Sequence, residues 1–246
     1  KFDVFSTSCF GTSDGKIDVT MNGGVTPYNF TIFDESDKTI TQNNGATFTY
    51  SNLPAGNYKI WVEDQNGCSI ESPFTISQPE LLKVSFTSWN VSCYGSSDGG
   101  AEATVTGGNA PYSYQWIGEN EIVVDTTNAL TKAKAYPWKV KITDSKGCSG
   151  VSGLVSFIES TVNIFNPPQP LIIDTKITNV LCNGGSDGVI ELNPSGGWEK
   201  YLYSTNGVKY STNNILSGLT SGFYDVWVKD SLGLGCTKKE TFIISE

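Results

Sequence analysis

The sequence predicts an all-β chain of three tandem antiparallel sandwich modules, and three observations carry that prediction. A seven-residue pattern, Cys-x-Gly-x-Ser-Asp-Gly, occurs at residues 9–15, 93–99 and 182–188, and self-similarity at a fixed period marks repeated structural units. Short stretches alternate apolar and polar residues, which is the period of a half-buried strand. Between them stand turn residues at close spacing, and no stretch shows a convincing helical period.

The register of the three copies extends beyond the seven residues. Counted from each Asp of the pattern, Gly23-Gly24, Gly107-Gly108 and Gly196-Gly197 fall at one offset, and Tyr28, Tyr112 and Tyr201 at another. Each copy closes on a second signature: Asp64 to Cys68, Asp144 to Cys148, and Asp230 to Cys236 with two extra residues. A chain of 246 residues then divides into modules of about eighty residues, at 1–80, 81–168 and 169–246. Proline stiffens the junctions at Gln78-Pro79 and Pro167-Pro168-Gln169-Pro170. Modules of this size bury only a thin core.

Each module opens on an extended lead, residues 2–8, 81–86 and 171–173, that runs into the Cys-to-Gly turn. The next strand alternates at residues 17–21, 101–105 and 190–192, so one of its faces is buried and the other wet. The double glycine ends it. Residues 27–32 and 111–116 alternate again with aromatics on the core face, Trp116 standing in line with Ile32; the third copy keeps Tyr201 and Tyr203 but has Lys200 in place of the proline. A segment of variable length follows, where Asn43-Asn44-Gly45 and Asn206-Gly207 read as hairpin turns.

The next corner is residues 53–58, matched by 219–224, with Tyr58 and Tyr224 entering the strand. In an immunoglobulin-like sandwich a tyrosine at such a corner bonds back to the upstream backbone. The middle copy has Trp138 there and lacks the corner glycine. The strand that follows puts Tyr58, Ile60 and Val62 toward the core, and Trp61 and Trp227 on the opposite face. A last strand, such as residues 74–76 or 242–244, finishes the module. Three such sandwiches in series form a rod.

Six cysteines, two per module at matching places, read as one disulfide per module: Cys9 with Cys68, Cys93 with Cys148, Cys182 with Cys236. Each bond would close a loop of 54 to 59 residues, for which chain entropy gives roughly 4 kcal/mol. That pattern belongs to an oxidising compartment. The other reading is six reduced thiols packed near turns. Zinc is disfavoured because the chain has no Cys-x-x-Cys and no His.

A net charge of −9 argues against a phosphate-binding surface, so no nucleic acid is expected as partner. No apolar run reaches the ~18 residues of a membrane span, and no signal peptide opens the chain. Because Lys1 begins inside what reads as a strand, the chain is expected to be a segment of a longer secreted protein.

With both signatures in view, the modules resemble the SprB repeat family, found in very large surface adhesins of gliding Bacteroidetes. The residues that carry the resemblance are the Cys-x-Gly-x-Ser-Asp-Gly openings, the double glycine followed by Pro27-Tyr28 and Pro111-Tyr112, the Leu-x-x-Gly-x-Tyr corner, the closing at residues 62–68 and the Gln78-Pro79 exit. The resemblance implies an extracellular adhesin of the cell surface, moved by gliding machinery and exported by type IX secretion.

No enzyme is expected. Without His a Ser-His-Asp triad or Cys-His pair is impossible, and the repeated acids sit in turns rather than forming one unique glycosidase pair. No cofactor is required. Calcium is a candidate: a Cys9–Cys68 bond would bring Asp14 near Asp64, and likewise Asp98 near Asp144 and Asp187 near Asp230, offering oxygen ligands. The other reading, preferred because two carboxylates are few for a dedicated site, is that each Asp caps its own turn. Trp61, Trp198 and Trp227 are candidate platforms for a glycan or protein partner; alternatively Trp61 and Trp227 cover the sheet and Trp198 fills a loop.

The function expected is a spacer segment of an adhesin that touches polysaccharide or a solid surface and packs against neighbouring repeats of its own chain. The rival is a structural stalk carrying the catalytic or lectin domain of a secreted enzyme.

Overall fold

The alternating stretches become strands. The computed structural model describes residues 1–148, 158–232 and 235–246. The first copy folds into β1 (Phe2–Phe5), β2 (Gly15–Thr20), β3 (Tyr28–Phe33), β4 (Thr39–Gly45), β5 (Thr47–Leu53), β6 (Gly56–Glu63) and β7 (Ser69–Ile76). The second gives β8 (Lys83–Trp89), β9 (Gly99–Thr106), β10 (Ser113–Ile117), β11 (Val123–Asp125), β12 (Ala129–Ala133), β13 (Tyr136–Thr143) and β14 (Ile158–Ile164). The third gives β15 (Ile172–Thr178), β16 (Gly188–Ser195), β17 (Tyr201–Ser204), β18 (Ile215–Leu219), β19 (Gly222–Asp230) and β20 (Thr237–Ile244). Among the described residues the sole helix is a 3-10 turn, Glu119–Glu121.

Each copy makes two sheets. In the first copy these are β1-β2-β5 and β4-β3-β6-β7, with antiparallel pairing. The second repeats the plan as β8-β9-β12 and β11-β10-β13-β14, the third as β15-β16-β18 and β17-β19-β20. The chain crosses between sheets after the second, fourth and fifth strands, the Greek-key habit of immunoglobulin-like sandwiches. The fourth strand of the third copy is reduced to one bridge, Tyr203 with Ser211.

Strand periodicity puts Ile17 and Val19 of β2 against Phe30 and Ile32 of β3 and Ile60 and Val62 of β6, all buried. The third copy repeats this with Ile190, Leu192, Val226 and Val228. In the middle copy Trp116 is 0% exposed and its indole N–H donates to the Thr127 carbonyl at 3.0 Å. Where β2 has Ile17 and Val19, β9 has Ala101 and Ala103. The final glycine of each opening pattern is fixed by close approach. A Cβ at Gly15 would lie 2.7 Å from the Leu53 carbonyl, and one at Gly188 would lie 2.8 Å from that of Leu219.

The tyrosine corner forms: Tyr58 donates to the Pro54 carbonyl and Tyr224 to that of Thr220, each at 2.9 Å. The middle copy keeps the bond by other means, because the indole N–H of Trp138 donates to the Lys134 carbonyl at 3.0 Å. A second tyrosine bond recurs in all three copies. The hydroxyls of Tyr28, Tyr112 and Tyr201 donate to the carbonyls of Gly23, Gly107 and Gly196.

The expected hairpin at Asn43-Asn44-Gly45 is corrected. These residues lie in the edge strand β4, with Asn44 opposite Asn29 and Asn43 opposite Phe30. The turn into β4 is made earlier, where the Asp34 carboxylate accepts the backbone N–H of Ser36 and Lys38 and Asp37 takes φ +60°. The Asn206-Gly207 turn forms as expected, closed by paired bonds between Tyr203 and Ser211.

The chain partitions into two compact units, residues 1–85 with 104–115 and 140–160, and residues 86–103 with 116–139 and 161–246. Each contains one terminal sandwich and part of the middle copy. Among the described residues no helix is long and apolar enough to cross a membrane.

Candidate functional site

The two signature turns are built by their aspartates. In the opening turn Asp14 accepts the Ser8 N–H at 3.0 Å and the Thr12 hydroxyl at 2.7 Å. Asp98 and Asp187 accept the N–H of Ser92 and Leu181 in the same way. Burial pushes the Asp14 carboxyl up, but the bonds from Ser8 and Thr12 outweigh it and hold the group below its ordinary value. For Asp98 the bond from Ser92 is the leading cause of a lowered pKa.

In the closing turn one carboxylate oxygen takes two backbone donors, Asn66 and Cys68 for Asp64, and Lys146 and Cys148 for Asp144. Asp230, 0% exposed, takes Cys236. The second oxygen ties the turn to the residue after the double glycine: Val25 N–H for Asp64, Asn109 for Asp144, Trp198 for Asp230. The N–H of Cys68 leads in holding Asp64 below its usual pKa. Burial raises the Asp144 pKa, yet the bonds from Cys148, Asn109 and Lys146 outweigh it and depress it.

The disulfides do not join the two turns of one module. Cys9 is bonded to Cys148 and Cys93 to Cys236, while Cys68 and Cys182 are free and exposed. The expected Cys9–Cys68, Cys93–Cys148 and Cys182–Cys236 pairs are therefore corrected. The reason lies in strand parity. Successive strands run antiparallel, so the turns alternate between the two ends of a sandwich. The opening turn lies where the chain leaves the module: Thr7 N–H donates to the Ser77 carbonyl at 3.0 Å and Gly11 N–H to the Gln78 side chain at 2.8 Å. The closing turn lies at the other end, where Gln65 N–H meets the Val25 carbonyl. The eight residues of β7 separate the two by about 25 Å, while a disulfide needs Cα atoms about 4.4–6.8 Å apart.

The first two opening turns are instead bonded to the closing turn of the following copy. At the first junction the Asn109 amide donates to the Ser8 carbonyl at 2.9 Å, beside a Cys148 that is 3% exposed. At the second, the Trp198 indole N–H donates to the Val91 carbonyl at 2.9 Å, and Cys236 is buried. The residue after the double glycine thus reaches the previous module in both cases.

These positions also rearrange the other candidates. The Cys9–Cys68 bond was the premise for bringing Asp14 near Asp64, and without it the within-module acid pairs are not brought together. Among the described residues no group of three or more His, Cys, Asp or Glu side chains converges. Trp198 is a junction residue. The ring of Trp227 carries the Lys239 ammonium 4.8 Å from its centroid, and a Cβ on Gly207 would meet it at 3.0 Å. Trp61 lies on the outer face in a cleft of about 450 Å³ lined by Asn29, Thr31, Gln42, Asn43 and Asn44.

The SprB repeat profile matches the chain three times, at residues 3–35, 85–120 and 175–208. No curated protein gives a significant match. Among solved structures the chain is similar to three consecutive immunoglobulin domains of titin, with 12% identity and a TM-score of 0.38 over 100% of this chain and 98% of that one. It is also similar to the ectodomain of mouse nectin-like molecule 4, with 10% identity and a TM-score of 0.30 over 93% of each chain. A third similarity is to the N-terminal eight immunoglobulin domains of Down Syndrome Cell Adhesion Molecule, with 11% identity, a TM-score of 0.32, and coverage of 98% of this chain and 39% of that one.

Proposed function

The chain carries three SprB repeats, and we propose that it is a non-enzymatic extracellular segment of a large cell-surface adhesin used in attachment and gliding. In this reading residues 1–80, 81–168 and 169–246 are modules of an extended spacer, each clipped to the next. The observation that supports it is the pairing of Cys9 with Cys148 and Cys93 with Cys236. Spacers transmit tension, and a thin-cored sandwich pulled apart would lengthen greatly. With both bonds in place the covalent path runs from Cys9 to Cys148, back to Cys93, and across to Cys236. Fully drawn out, that path is about 250 Å, against about 850 Å for the uncrosslinked chain. Limited extension suits a tether that must pass force to a surface.

The carboxylates of both signature turns are engaged by their own backbone donors, which fits turn capping. Stretching the chain end to end in a single-molecule force experiment tests the reading. Oxidised protein should stop near the short length, and thiol reductant should release the long one. Equal lengths in both conditions sink the tether.

The Trp61 cleft favours one further contact, with polysaccharide. An aromatic plate sharing its sheet face with Asn29, Gln42 and Asn44 offers stacking and hydrogen bonding together, which suits sugar recognition. Glycan, agar and glass binding by the wild type and by Trp61→Ala distinguishes this from a bare spacer; unchanged binding removes Trp61 from the account.

A further inference from the structure

Two cysteines and two turns are left over from the junctions. The Cys182 turn has the form of its bonded counterparts: Gly185 N–H donates to the Cys182 carbonyl as Thr12 does to Cys9 and Ser96 to Cys93, and Asp187 holds the Leu181 N–H as Asp14 and Asp98 hold Ser8 and Ser92. The Cys68 turn matches those of Cys148 and Cys236, with its Asp accepting the cysteine N–H. Both thiols are exposed, whereas Cys148 and Cys236, the bonded counterparts of Cys68, are 3% and 7% exposed, and Cys9 and Cys93, those of Cys182, are half-buried.

Resting on the module-to-module reading above, we infer that the Cys68 turn is a docking site for the opening turn of another SprB repeat, and that the Cys182 turn is the complementary plug. Nothing has to be built for the bond to form, because two junctions in the same chain display it with the equivalent residues. The flanking residues differ in kind. In the two formed junctions a side chain after the double glycine, Asn109 or Trp198, donates to a backbone carbonyl one or two residues before the opening cysteine, that of Ser8 or Val91. In the unfilled socket that position is Val25, 42% exposed, and in the unfilled plug the residue before the cysteine is Leu181, 84% exposed. Val25 brings no side-chain donor, and burial of the exposed Val25 and Leu181 side chains favours association in its place.

Bond formation balances with a small disulfide as oxidant. The Cys182 thiolate displaces one thiol from glutathione disulfide, and the Cys68 thiolate then displaces the second. One protein disulfide forms and two glutathione thiols are released.

The test uses two full-length variants in a glutathione redox buffer, Cys182→Ser with Cys68 free and Cys68→Ser with Cys182 free. The mixture should give a dimer whose digest contains the Cys68–Cys182 peptide pair, at least tenfold above the homodimers each variant gives alone. Leu181→Asp added to the Cys68→Ser chain should slow the mixed dimer about tenfold without slowing its reaction with glutathione. Mixed and like-with-like dimers in equal yield overturn the inference, as does glutathione capping with no dimer. The same digest reports Cys9–Cys148 and Cys93–Cys236. If those are present and the mixed pair is not, this inference fails alone; if they are missing, the junction reading fails with it.

Discussion

The indole N–H of Trp198 donates to the carbonyl of Val91, 107 residues earlier in the chain, at 2.9 Å, in the unit that also holds the Cys93–Cys236 bond. A residue that the sequence offers as a glycan platform thereby links the second and third copies. Trp198→Phe keeps an aromatic ring but trims this half-buried side chain and removes the donor, leaving a carbonyl without its partner. The expected cost is about 1 kcal/mol, read as a fall of about 2–4 °C in melting temperature for a chain of this size. Glycan binding should not change.

The corner bonds give a matched set. Tyr58→Phe, Trp138→Phe and Tyr224→Phe each delete one bond to an upstream carbonyl. The two tyrosine variants should lose about 1 kcal/mol each. Trp138→Phe should lose more, because it also withdraws buried ring area. Chemical denaturation of the three variants checks the order.

Acid should loosen the closing turns. Asp64 and Asp144 are held below their ordinary pKa in the folded chain. Their ionised forms therefore stabilise the fold above the ordinary value of about 4, and that contribution is lost as pH falls through the folded-state values. Melting temperature should be flat from pH 7 to about 5 and fall below pH 4. Asp144→Asn, which cannot ionise, should show a shallower acid fall from a lower starting point.

Gly197 is a further sensitive position. It holds φ +66°, and a Cβ there would sit 2.5 Å from an oxygen of the buried Asp230. Gly197→Ala combines backbone strain with displacement of a buried carboxylate, and should cost about 2 kcal/mol or more. Thermal melts should separate it from an exposed-loop glycine substitution.

The strands were legible because their alternation is strong and is written three times over. Trp116 reads as core from its register with Ile32, and the structure buries it. Asn43-Asn44-Gly45 misleads because local turn propensity is outweighed by pairing with β3. Trp138 could not be read as a corner donor from tyrosine alone, yet an indole N–H reaches the same carbonyl position. The cysteine phasing was visible, but phasing says only that the two positions are equivalent across modules. Strand parity was needed to see that the two turns lie at opposite ends, and an odd number of crossings between Cys9 and Cys68 was countable in the sequence. The clamps at Asn109 and Trp198 follow the conspicuous double glycine, but they are of different chemical types, so no common signal marked them.

Peptide mapping of the non-reduced protein tests the central claim most directly. A digest with thiols blocked before denaturation should contain Cys9 linked to Cys148 and Cys93 linked to Cys236, with Cys68 and Cys182 carrying the blocking group. Recovery of Cys9 linked to Cys68 and Cys93 linked to Cys148 would contradict it, and would return each module to a separately stapled domain.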